Sequence, residues 1–264
     1  MNIRVLTPQP RCIRSYRRGS AKPQVRLICF PHAGGAATFY RSWTSHLPPE
    51  VDLLSVQYPG RQDRISEPCI EQMESLAELV AGELIGTLHQ PTALFGHSMG
   101  AAVAYEVARR IEDATGAPLY LLFVSGRPAP KHARRGYIHL GTDADLFADV
   151  RRLGGTPDSV LEHPDLRDLL LPSLRGDYRL IETYQPQPAA RLQTPIVAFV
   201  GDRDPDVTVQ ETQAWSEATG GTFGLHLFEG DHFYFLENDE SLVERVLAHL
   251  RVPVAGPLSW PSTP

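Results

Sequence analysis

Apolar positions along the chain fall into two kinds of run. Short blocks rich in β-branched and aliphatic residues occur at Val25–Phe30, Val51–Gln57, Thr92–Phe95, Leu119–Ser125, Pro195–Gly201 and Gly224–Phe228. Several of these blocks are apolar at successive positions and not only at alternate ones, the mark of strands covered on both faces. Between them lie stretches with apolar residues three and four apart, the helical period. Glu71–Leu88 carries Met73, Leu76, Ala77, Val80, Leu84 and Leu88, and Ser241–Leu250 carries Leu242, Val243, Val246, Leu247 and Leu250. A third helix, Gly100–Ile111, is short and alanine-rich. Strands alternating with helices predict an α/β fold with a mostly parallel central sheet flanked by helices.

Residues 127–193 are too many for one crossover. They hold helical signals of their own: Thr142 as a cap for a helix ending at Leu153 before Gly154 and Gly155, and a stripe over Asp165–Tyr184 with a break or kink expected at Pro172. This insertion is read as a helical lid, with a plain decorating subdomain as the alternative. The ends differ from the middle. Residues 1–22 hold Arg4, Arg11, Arg14, Arg17, Arg18 and Lys22 with no acid, and are read as a flexible basic tail. Residues 252–264 hold four prolines and are read as a disordered tail. One domain, residues 23–251, lies between them.

The chain has 264 residues, enough to build a core without disulfide or metal support. Its net charge of −6 argues against a nucleic-acid partner. Three cysteines at scattered positions, Cys12, Cys29 and Cys69, make neither a disulfide framework nor a metal site, and favour a cytoplasmic location. No apolar run approaches the ~20 residues of a membrane span, so no membrane partner is expected. Nor is a cofactor or metal: neither H-E-x-x-H nor C-x-x-C occurs. The expected oligomeric state is a monomer.

The most informative chemistry is Gly96-His97-Ser98-Met99-Gly100, which is G-x-S-x-G between a strand and a helix. A serine raised on a tight turn needs flanking residues without side chains, and the following helix aims its amides at the site. A neutral serine also needs a base. In the chain order Ser, then acid, then His, the base is His232 in Gly230-Asp231-His232-Phe233, after the last strand. The acid comes from Gly201-Asp202-Arg203-Asp204-Pro205-Asp206. Spacing favours Asp204 over Asp202 and Asp206, which are read as turn residues. An oxyanion site needs two amides. One is that of Met99, after the serine; the other is assigned to Ala33 in the loop Pro31-His32-Ala33-Gly34-Gly35 after the first strand block. That loop matches neither phosphate-binding glycine motif.

Five motifs stand in one order: FPHAGG at residues 30–35, YPGR at 58–61, GHSMGA at 96–101, GDRDPDV at 201–207 and GDHFYF at 230–235. Together they resemble the type II thioesterases that accompany modular polyketide synthases and nonribosomal peptide synthetases. The resemblance covers residues 25–250. It implies an α/β-hydrolase fold with a helical lid and hydrolysis of acyl groups from the phosphopantetheine arm of acyl or peptidyl carrier proteins, clearing stalled or aberrant units. It places the nucleophile on Ser98, the acid on Asp204, the base on His232, and the oxyanion amides on Ala33 and Met99. Phosphopantetheine then arrives with the substrate, not as a cofactor, and the basic tail is a candidate contact for an acidic carrier. The same triad also suits an oxyester hydrolase or a product-releasing acyltransferase. A reading of another class is a non-catalytic carrier-binding module.

Overall fold

A computed structural model describes residues 11–16, 23–187 and 190–250. Among these residues seven strands form one sheet: β1 (Ile13–Ser15), β2 (Val25–Phe30), β3 (Val51–Val56), β4 (Thr92–His97), β5 (Leu121–Ser125), β6 (Ile196–Gly201) and β7 (Phe223–Phe228). Their order is β1-β3-β2-β4-β5-β6-β7, parallel throughout except for β1. The chain first builds outward from β2 to β3, then crosses back to place β4 on the other side of β2. The strand order therefore reverses between β2 and β4, where Phe30 pairs with Gly96. The carboxyl ends of strands at such a reversal open onto a crevice, the usual ligand position in open α/β sheets.

Alternation along the strands feeds two cores. Ile28, Phe30, Leu94, Leu122 and Val124 face α1 (Met73–Ile85) and α2 (Met99–Thr115). Leu27, Cys29, Ala93, Phe95 and Phe123 face α7 (Asp239–Leu250) and a 3₁₀ segment, Ala37–Ser45, that buries Tyr40 and Trp43. Continuous apolar strands follow from this double cover. The α7 stripe is buried as its spacing predicts. Helix α2 continues to Thr115 and ends on Gly116, whose φ of 68° needs no Cβ. The Ala37–Ser45 segment is not signalled by the helical period, because 3₁₀ geometry repeats every three residues.

The insertion between β5 and β6 holds α3 (Asp143–Leu153), α4 (Asp158–Leu161) and α5 (Pro164–Thr183) around a small core of its own, including Leu146, Phe147, Leu161 and Leu174. Thr142 caps α3 in a reciprocal capping box with Asp145. Of the break or kink expected at Pro172, the break does not occur: α5 runs through it. Pro172 and Asp168, four residues earlier, both lie on the exposed side, so water can take the carbonyl that the proline leaves unpaired. A short helix, α6 (Val209–Gln213), follows β6. Among the described residues no helix is long and apolar enough to cross a membrane.

The reading of residues 1–22 as a flexible tail is corrected in its centre. Ile13–Ser15 pairs antiparallel with β3, Ile13 opposite Val56 and Ser15 opposite Leu54. The pairing satisfies the outer edge of β3, which would otherwise expose a row of unpaired backbone groups. Cys12 is buried, and both its amide and its thiol donate to Glu83 Oε2 at 2.8 Å. Three residues are too few to show a period, so pattern alone misses the strand. Arg14 pairs with Asp63. Arg4, Arg17, Arg18, Lys22 and the proline-rich end after Leu250 lie outside the described residues.

Deleting residues 1–16 should therefore lower the thermal midpoint by about 5–10 °C, from about 2–4 kcal/mol of lost burial and ladder bonds. Differential scanning calorimetry on the two chain lengths checks this. An unchanged midpoint would mean that β1 carries no stability.

Candidate active site

Ser98 caps α2 at the end of β4 with φ 54° and ψ −120°, a conformation that few side-chain-bearing residues adopt. The surroundings hold it there. Its amide donates to Ser125 O on β5 at 2.8 Å, and its carbonyl accepts from Ala101 N at 3.1 Å. A Cβ on Gly96 would lie 2.2 Å from Gly100 O, and one on Gly100 would lie 2.1 Å from Phe30 O. Both contacts are with backbone, which cannot swing aside. The glycines of the motif thus let α2, β4 and the end of β2 pack at a distance no other residue permits.

His232, in the loop after β7, and Asp204, in the loop after β6, meet at the same edge of the sheet. Their side chains are 3% and 0% exposed, and His232 Nδ1 lies 2.8 Å from Asp204 Oδ2. Asp204 Oδ1 accepts from the amides of Asp206 and Val207 at 2.9 and 3.1 Å, which fixes the carboxylate plane. His232 Nε2 is buried and has no hydrogen-bond partner among the described residues. Asp202 lies in a turn, as expected, and its carboxylate reaches across to the loop after β7, where it accepts from Gly230 N at 2.8 Å. Asp206 does more than close a turn: both its oxygens meet Arg152 of α3, at 2.7 and 3.0 Å. Burial opposes ionisation of Asp206, but the Arg152 guanidinium outweighs it and holds the carboxyl below its ordinary range.

Ser98, Ala33, His32 and Phe233 line one small cavity with Val150, Leu153, Gly155, Thr156 and Tyr178 of the insertion. Its volume is about 20 Å³, room for about one water. A Cβ on Gly155 would lie 2.3 Å from the Phe233 ring, so the insertion presses directly on the residue after His232. Residues of the insertion thus line the cavity beside the serine. A larger groove of about 310 Å³, bordered by Tyr105, Lys131, Arg191 and Glu217, includes none of the five predicted site residues. Met99 is the first residue of α2 and Ala33 lies in the loop after β2; neither amide has a hydrogen-bond partner among the described residues. No cluster of His, Cys, Asp or Glu among the described residues is placed to hold a metal ion.

Two further histidines pack around His232. His97 lies between the glycine and the serine of the motif, fully buried, with its ring 4.9 Å from that of His232. Its Nδ1 shares a hydrogen bond with Ser125 Oγ at 2.9 Å, and Ser125 with Tyr234 OH at 2.7 Å. Burial, reinforced by the neighbouring imidazoles, pushes the His97 pKa well below the ordinary value. His32 is pushed down to about 3, by burial first and then by His232 and Arg61. Both are neutral at physiological pH. The sequence reading missed a buried ion pair beside the site, Arg61 with Asp177. Its signal was an acid on the otherwise apolar stripe of α5, between Leu174 and Tyr178.

A strained serine on a strand-to-helix turn, a buried His–carboxylate pair and two unengaged amides at the reversal of a parallel sheet define a serine hydrolase of the α/β-hydrolase fold. The thioesterase domain family matches residues 25–251. The chain belongs to that family and is a thioester hydrolase. It is 43% identical to thioesterase PikA5 of Streptomyces venezuelae over 234 residues, 88% of this chain and 83% of that protein. It is 36% identical to the gramicidin S biosynthesis protein GrsT of Aneurinibacillus migulanus over 234 residues, covering 88% and 91%. Among solved structures it resembles the type II thioesterase BorB from the borrelidin biosynthetic cluster, at 48% identity and a TM-score of 0.84, covering 91% of this chain and 98% of that one.

The two neutral histidines make folding sensitive to acid. In the unfolded chain each takes a proton near its ordinary pKa of 6.5, while the folded form resists protonation. The unfolded state then binds more protons, so stability falls as pH drops below about 6.5, by about 1.4 kcal/mol per pH unit for each histidine. Urea unfolding at pH 7 and pH 5 should show this loss, and His32→Asn should reduce it. Equal loss in the wild type and the variant would contradict the assignment to His32.

Proposed function

We propose that this chain hydrolyses acyl groups from the phosphopantetheine arm of acyl or peptidyl carrier proteins in polyketide or nonribosomal peptide biosynthesis, removing aberrant or stalled units. The observation that carries the reading is the buried His232–Asp204 pair at the sheet edge that also holds the strained Ser98. Two of the relatives named above, the gramicidin S biosynthesis protein GrsT and the type II thioesterase BorB of the borrelidin biosynthetic cluster, support a role in biosynthesis.

In the proposed reaction Ser98 Oγ attacks the thioester carbonyl carbon while His232 Nε2 takes its proton. Asp204 holds Nδ1–H, which fixes the tautomer and stabilises the imidazolium. The carbonyl oxygen becomes an oxyanion between the amides of Ala33 and Met99, and the start of α2 adds its dipole. Each such donor is worth about 3 kcal/mol. The C–S bond breaks, the pantetheine thiol leaves with the proton from His232, and the acyl group stays on Ser98. Water then attacks the acyl carbon, His232 takes its proton and returns it to Ser98 Oγ, and the free acid departs. Protein groups supply every proton transfer and every charge contact in this scheme. Residues of the insertion line the cavity beside Ser98, so movement of the insertion would widen the entry for an acyl-pantetheine arm.

A carrier protein loaded with butyryl-phosphopantetheine tests the reading. Intact-protein mass should show fast loss of the butyryl group with wild type and free butyrate as product. Ser98→Ala should slow the loss by at least about 10³-fold. Loss of the acyl group to an acceptor other than water, or no loss above background, would contradict it.

A further inference from the structure

Arg61 and Asp177 are separated by 116 positions in sequence and meet in the interior. Arg61 Nη1 and Nη2 donate to Asp177 Oδ2 and Oδ1 at 2.6 and 2.7 Å, a two-pronged contact with both side chains under a tenth exposed. The guanidinium also lies 5.2 Å from the centre of the Tyr58 ring. Burying two charges costs several kcal/mol of hydration each, and an apolar pair of the same size is often as stable or more so. The pair is therefore poorly explained as a stability device. Its remaining contacts point elsewhere.

Both partners grip the loop after β2. Asp177 Oδ2 accepts from Gly34 N at 2.8 Å, and Arg61 Nη1 donates to Gly35 O at 3.0 Å. Within that loop Gly35 N donates to His32 O at 2.9 Å, closing a four-residue turn with Ala33 and Gly34 at its centre. Gly34 has φ 76°, which the third residue of a type II turn requires. A Cβ there would also lie 2.6 Å from Leu174 Cδ1, one turn before Asp177 on α5. A turn of this kind leaves two amides outside its own hydrogen bond, those of Ala33 and Gly34. Asp177 occupies the second. The amide of Ala33, a residue that lines the cavity containing Ser98, is left without a partner among the described residues.

We infer that Arg61 and Asp177 are positioning residues that set the oxyanion turn: they hold its plane, engage the Gly34 amide and leave that of Ala33 for the reacting carbonyl oxygen. The inference rests on the proposed roles of Ser98 and Ala33. Because Asp177 belongs to α5, the clamp also ties the oxyanion turn to the insertion, and displacing α5 releases it.

The test measures kcat and KM for butyryl-N-acetylcysteamine, Ki for butylboronic acid as a tetrahedral mimic, and the thermal midpoint. The proteins are the wild type, Ser98→Ala, Asp177→Asn and the double variant Arg61→Met with Asp177→Leu. Asp177→Asn keeps an acceptor for Gly34 but leaves Arg61 buried without a counter-charge, so the midpoint should fall while kcat drops only about 3–10-fold. The double variant removes both charges and both grips on the loop. Its midpoint should lie nearer to the wild type, yet kcat should drop about 30–100-fold, with KM within about threefold and Ki raised by a similar factor to the loss in kcat. Activity and stability thus run in opposite orders, which a merely structural role does not produce. A double variant with kcat within threefold of wild type, or with its loss confined to KM, overturns the inference. Should the double variant not fold, Arg61→Lys decides: it keeps the charge and loses the fork, kcat should drop about tenfold, and a value within threefold of wild type overturns the clamp. A wild type inactive on the thioester, or an active Ser98→Ala, would instead overturn the proposed reaction.

Discussion

The active site depends on a contact between backbones. Gly100, at the start of α2, lies so close to the carbonyl of Phe30 that a Cβ would stand 2.1 Å from its oxygen. That approach brings the N-terminus of α2 against the end of β2, so the amide after the serine and the loop after β2 face one space. Gly96 passes Gly100 at a similar distance, and the turn between them forces Ser98 to a φ of 54°. Such a conformation costs about 1–3 kcal/mol and survives only where the surroundings determine it. Here the surroundings are the fully buried Ala101, Val103 and Ala104 of α2 and the Ser98–Ser125 backbone bond. The small side chains of α2, weak as a hydrophobic signal, are what allow the helix to sit this near the sheet.

Three of the contacts that the insertion makes beside this frame differ in strength. Gly155 rests on Phe233, Arg152 pairs with Asp206, and Asp177 grips the turn after β2. Arg152 and Asp206 are each more than two-fifths exposed, and a pair so wet is worth about 0–1 kcal/mol. Below the ordinary carboxylate range Asp206 gains a proton and that small contribution disappears, because its folded pKa is the lowered one. Arg61 and Asp177 are 7% and 3% exposed, and parting them would strand a charge in the interior. The α3 end of the insertion is thus the easier part to lift. Motion there would open the cavity beside Ser98 while α5 keeps its hold on the oxyanion turn.

How much of this could be read from the sequence follows from the range of each interaction. The six longer strands, helix α7 and the elbow are local: periodicity, two glycines and a serine state them within a few residues. The triad needed only chain order beyond that, and Asp204 stood apart from its neighbours once the motifs were set side by side. What escaped is non-local or too short to show a period. Strand β1 exists because β3 has an open edge, which no pattern within residues 11–16 announces. Arg61 was visible in YPGR, but its partner lies across the molecule on α5. Asp206 was read as a turn residue because the helix that supplies Arg152 is distant in sequence. Pro172 pointed to a break or a kink, and solvent exposure makes the break unnecessary.

The most direct test of the account is a crystal structure of the protein after reaction with an alkyl fluorophosphonate. The account predicts a covalent bond from phosphorus to Ser98 Oγ. It also predicts a phosphoryl oxygen at about 2.7–3.1 Å from the amides of both Ala33 and Met99. An adduct on another residue, or a phosphoryl oxygen turned away from those two amides, would contradict it.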